Sequence, residues 1–83
     1  MAVRFHSHAT ERMAQRGATE REVLIAVETG ENFKAKFGRT GFRRNFAFEK
    51  KWQGKYYKTK QIEAYAVRED DDWLVISVIT RFF

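Results

Sequence analysis

At Gly30 the spacing of apolar residues changes from a helical period to strict alternation, and this switch limits the fold more than any other feature of the chain. Before it, Thr19-Glu20-Arg21-Glu22 forms a capping box, in which a threonine and the glutamate three positions on each satisfy the other's free amide. The box predicts a helix over about 19–29, with Val23, Leu24 and Val27 facing the core and Gly30 ending it at positive φ. Upstream, Ser7 is a candidate N-cap for a helix over about 7–16 that Gly17 terminates. After the switch, the pattern predicts strands at about 33–37, 42–49, 55–68 and 73–82. The expected fold is α+β: an N-terminal helical hairpin on one face of a three- to four-stranded antiparallel sheet.

The chain has 83 residues, so one core spanning 1–83 uses all of it. Aromatic residues make up 16% of the sequence, enough to build that core without cysteines, of which there are none. With no thiols and only two histidines, disulfides and cysteine-based zinc sites are excluded, and neither a metal nor another cofactor is expected. No apolar run approaches the length of a membrane span, and the N-terminus lacks the apolar segment of a secretory signal. A cytoplasmic protein without a membrane partner is expected. Sixteen basic against eleven acidic residues leave a net charge of +5, which favours a polyanionic partner.

The basic residues gather in three places. On the first helix His8, Arg12 and Arg16 form an i, i+4, i+8 row beside the Ala9–Met13 stripe, where cations can converge on a phosphate. Equally, Arg12 and Arg16 can lay their stems on the core edge and pair with carboxylates, with His8 merely a residue near the cap. Between Lys50 and Gln61 five lysines alternate with Trp52, Tyr56 and Tyr57, a pattern suited to RNA phosphates and unpaired bases and equally to a protected hairpin edge. Lys60 abuts the apolar line of its strand. Arg39, Arg43 and Arg44 surround Phe42 and a turn at Gly38–Gly41, while Asp70-Asp71-Asp72 reads as a solvated turn rather than a metal cage.

The run from Phe5 to Gly17, with His8-Ala9, Arg12-Met13 and Arg16-Gly17 in an H-A-x-x-R-M-x-x-R-G pattern, resembles a family of small bacterial domains of unknown function. That family is similar in turn to the barnase/EndoU/colicin/RelE-like ribonucleases, several of which are toxins of toxin–antitoxin pairs. The resemblance implies a metal-independent endoribonuclease with His8, Arg12 and Lys60 as catalytic residues. Arg16, Arg43, Arg44, Tyr57, Ser77 and Arg81 are the accompanying candidates for binding substrate. In this scheme histidine moves the 2′-hydroxyl proton while cations hold the phosphate. RNA, a cognate antitoxin and a second copy of the chain are the expected partners. Two other classes fit the same sequence: a non-catalytic RNA-binding or regulatory module, and a domain that dimerises through its aromatic-rich sheet.

Overall fold

A computed structural model describes residues 2–83. The elements in order are β1 (Val3–Phe5), α1 (Ser7–Arg16), α2 (Glu20–Thr29), β2 (Glu31–Lys34), a short 3-10 turn (Lys36–Gly38), β3 (Thr40–Trp52), β4 (Lys55–Glu69) and β5 (Asp72–Phe82). They form one sheet in the order β1-β5-β4-β3-β2. β1 runs parallel to β5, and the other neighbours are antiparallel.

Two parts of the expected architecture are corrected. The sheet has five strands and is mixed, because Val3-Arg4-Phe5 adds an edge strand on β5. Three residues are too few to display a period; the strand exists because β5 offers partners, with the Trp73 amide bonded to the Ala2 carbonyl and the His6 amide to the Val75 carbonyl. Nor do the helices make a hairpin of their own. α1 packs on β5, and α2 packs on β4 and β3. Ala9 and Met13 of α1 and Val23, Ala26 and Val27 of α2 all enter the cluster built by Phe42, Ile62, Ala64, Ala66, Val75 and Val78 of the sheet. Both apolar stripes therefore point at the strands, and burial on the sheet replaces burial of helix on helix.

Local signals explain the helix ends. The Glu22 amide donates to Thr19 Oγ1 at 3.1 Å and the Thr19 amide to Glu22 Oε1 at 3.0 Å, so both halves of the capping box form. Gly17 ends α1 in the left-handed region at φ 72°. The N-cap of α1 is His6 rather than Ser7, with the ring Nδ1 accepting from the His8 amide at 3.1 Å. Gly30 is extended, at φ −78° and ψ 168°, contrary to the expected positive φ. Glycine is required there by close approach, since a Cβ would collide with the Ala26 carbonyl and stand 2.6 Å from that of Arg43.

The expected strand over 33–37 stops at Lys34, where the chain enters the 3-10 turn. β3 and β4 close at Gln53-Gly54, both at positive φ as a tight primed turn requires, and a bulge between Ala47 and Lys50 bends β3. Alternation gives the sheet two unlike faces. Phe42, Ile62, Ala64 and Val78 lie under the helices, whereas Phe33, Arg43, Glu63, Tyr65, Ser77 and Arg81 share the face that no helix covers. No helix among the described residues is long and apolar enough to cross a membrane.

The two kinds of glycine should separate in urea unfolding. Gly30→Ala should cost about 2–3 kcal/mol, because backbone atoms cannot yield to the new methyl. Gly54→Ala, at φ 84° with open space around it, should cost about 1 kcal/mol for the left-handed backbone alone. Equal losses at the two sites would refute this account of Gly30.

Candidate functional site

At the centre of the open face a carboxylate is buried beneath two guanidinium groups. Glu63, on β4, is only 4% exposed. Its Oε2 accepts from Arg43 Nε at 2.9 Å, and its Oε1 pairs with Arg81 Nη1 at 3.1 Å and accepts from the Tyr65 hydroxyl at 3.0 Å. Register explains the convergence: Arg43 on β3 is directly opposite Glu63, and Arg81 on β5 is opposite Gln61, two positions along the same face. A buried carboxylate requires such partners, and here every one of them comes from a different place in the sequence.

The arginines keep capacity for a ligand. Their side chains are 38% and 53% exposed for Arg43 and Arg81 respectively. Arg43 also reaches exposed Glu31 at 3.2 Å and lies over the Phe33 ring at 4.6 Å. The hydrogen bond to Glu63 raises the pKa of Arg43 further above its already high value, so the guanidinium stays charged. Burial, followed by the bond to Glu63, raises the pKa of Tyr65 and keeps its phenol protonated. Next to this cluster a groove of about 430 Å³ is walled by Phe33, Phe37 and Tyr65 and by the cations Lys34, Lys36 and Arg39, with Ser77 in its lining.

The residues expected to act together are divided between the two faces. Arg43, Ser77 and Arg81 share the open face. His8, Arg12 and Arg16 lie on α1, which follows β5 in the same direction: it starts where the His6 amide meets the Val75 carbonyl and ends where the Gly17 carbonyl meets Lys60, the register partner of Phe82. Arg16 donates to the Val78 carbonyl at 2.6 Å. The His6 ring meets only the His8 amide, and among the described residues the side chains of His8 and Arg12 make no hydrogen bond or ion pair.

Lys60 is occupied. Its Nζ lies 2.9 Å from the Gly17 carbonyl, 2.8 Å from Glu22 Oε2 and 5.2 Å from the centre of the Phe48 ring. His8 stands nine residues before Gly17, about 13 Å up the helix axis at 1.5 Å per residue, so the two lie toward opposite ends of α1. Arg44 bonds Thr29 Oγ1 at 2.8 Å at the end of α2. Tyr57 packs at 5.5 Å against Phe82 in an aromatic cluster with Phe48 and Trp52. Sequence reading missed Glu63, Tyr65 and Phe33. The available signal was a glutamate in mid-strand, opposite in face to Ile62 and Ala64, but its partners depend on register.

A five-stranded mixed sheet with both helices on one face and a carboxylate–arginine cluster on the other defines a small α+β domain with a polar sheet face. The chain belongs to the domain of unknown function family DUF4258, whose profile matches residues 5–80. No curated protein and no solved structure matches it.

Two measurements check these assignments. Lys60→Met should lower stability by about 2–4 kcal/mol in urea unfolding, because Glu22 and the Gly17 carbonyl lose their shared partner; an unchanged midpoint would show that the ammonium is not structural. In an alkaline spectroscopic titration, one tyrosine should ionise above the ordinary value of about 10, and Tyr65→Phe should remove that component. The neutral phenol is favoured by folding, so its contribution to stability is complete below the unfolded-state pKa and lost as pH rises through the higher folded-state value.

Proposed function

We propose that the protein is an endoribonuclease that cleaves single-stranded RNA on the open face of its sheet. One observation carries the reading: two partly exposed arginines converge on a buried carboxylate where no helix blocks access. A phosphate arriving between Arg43 and Arg81 competes with Glu63 for their N–H groups and uncovers the carboxylate. Glu63 then takes the proton from the 2′-hydroxyl, the 2′-oxygen attacks phosphorus, and the bond to the 5′-oxygen breaks. Tyr65 donates its proton to that leaving oxygen and regains one from Glu63 along their 3.0 Å hydrogen bond. The arginines stabilise the charge that builds on the phosphorane.

The resemblance to toxin ribonucleases and the basic surplus support RNA cleavage as the activity, with cytoplasmic RNA as substrate and an antitoxin as partner, although the resemblance implicates residues of α1 and Lys60 rather than the open face. A second reading places the chemistry on α1. It is favoured by the side chains of His8 and Arg12, which have no hydrogen-bond or ion-pair partner among the described residues. There His8 would move the proton and Arg12 would hold the phosphate.

Purified protein should cut a single-stranded RNA in the presence of a chelator and leave a 2′,3′-cyclic phosphate. Glu63→Gln, checked for an unchanged melt, should slow cleavage about 100-fold or more. Arg43→Ala and Arg81→Ala should weaken binding and each lower the log–log salt slope by about 0.7. If Glu63→Gln cuts at the wild-type rate while His8→Ala does not, the second reading replaces the first. Salt-sensitive RNA binding without any cleavage would identify a binding module, and a dimer with no RNA affinity would identify an interaction domain.

A further inference from the structure

The most exposed large apolar side chain in the described structure also has a left-handed backbone. Phe37 is 86% exposed and sits at φ 62°, ψ 35°, in the left-handed region. A bulky aromatic pays a penalty in that conformation which glycine or asparagine would largely avoid. Burial does little to offset it at this exposure, and the Arg39 guanidinium lies over the ring, 5.8 Å from its centre. The fold therefore holds an aromatic ring out in solvent at the mouth of the groove. Strain of this kind is maintained by the surrounding structure and is common at sites that grip a ligand.

The other side chains at the groove specify what the ring would meet. Lys34, Lys36 and Arg39 supply three cations, and no acidic residue lines it. Phe33 and Tyr65, edge to face at 6.1 Å, form an aromatic wall, with Ser77 nearby as a hydrogen-bonding hydroxyl. A flat aromatic ring bordered by cations matches an unpaired nucleobase and its flanking phosphates. Tyr65 and Phe33 belong also to the neighbouring cluster, the first through its bond to Glu63 and the second beneath Arg43.

We propose that this groove is a nucleobase subsite, in which Phe37 stacks on one unpaired base of single-stranded RNA while Lys36 and Arg39 hold the adjoining phosphates. The inference deepens the ribonuclease reading by naming the subsite next to the reacting phosphate. It also stands on binding alone.

The test uses the full chain and a fluorescent 2′-O-methyl RNA hexamer, which has no free 2′-hydroxyl to attack. Phe37→Ala should weaken binding roughly tenfold, the scale of one base stack, and Phe37→Trp should restore it. Phe37→Gly should weaken binding equally while raising the melting temperature, because it removes the backbone strain; a purely structural role would lower both. Lys36→Ala should reduce the log–log salt slope by about 0.7. A hexamer with abasic positions should bind wild type and Phe37→Ala alike. Unchanged hexamer affinity in Phe37→Ala, or an equal loss for the abasic strand, would overturn the subsite. A protein that binds through Phe37 but never cleaves RNA retains the subsite and loses the ribonuclease reading. One that cleaves through Glu63 with no effect of Phe37 does the reverse.

Discussion

The ammonium of Lys60 ties three elements together, and the arrangement of the domain depends on it. From β4 it reaches the last carbonyl region of α1 at Gly17 and the capping-box carboxylate of Glu22 at the start of α2. A cation at a helix C-terminus and a carboxylate at a helix N-terminus each sit at the favourable end of a backbone dipole. Glu22 uses one oxygen to cap α2 and the other to hold Lys60, so the turn between the helices is fastened to the sheet at one point. Trp52 seals the same corner, its ring so close to Gly17 that a Cβ there would lie 2.8 Å from it. With both helices pinned to one face, the other is left to cover itself.

That uncovered face solves the problem with polar groups. Glu63 is buried by arginines and a tyrosine rather than by a second layer of structure, and those groups reach it from β3, β5 and its own strand. A carboxylate so enclosed is costly unless every partner stays in place, which fixes the register of the three central strands. The same arrangement leaves guanidinium edges facing solvent beside a groove of cations and aromatic rings. Burial of the acid and exposure of the bases are two consequences of one geometry, and together they form a surface suited to phosphate.

Short-range features were readable from the chain. The capping box at Thr19, the stop at Gly17 and the hairpin from Trp73 back to Arg68 each follow from residues within a few positions of one another. Features set over long separations were not. Lys60 looked available for phosphate because its partners Gly17 and Glu22 lie about forty residues away. Gly30 looked like a left-handed cap because nothing in its neighbourhood reveals that Arg43 passes beside it. Arg43 and Arg44 looked alike as neighbours, yet strand alternation sends one to Glu63 and the other to Thr29 on α2.

By itself the sequence determined that α2 begins at the Thr19 capping box and that α1 stops at Gly17, that alternating strands follow the helices, and that the chain carries excess positive charge. Caps, periods and composition are local or additive, so they survive without knowledge of pairing. Only the tertiary structure decided that Val3–Phe5 joins the sheet, that the helices dock on strands instead of on each other, and which cations are spent on the fold. Ion pairs and close approaches depend on register, where a shift of one residue would move Glu63 from the open face to the helix side and dissolve the site.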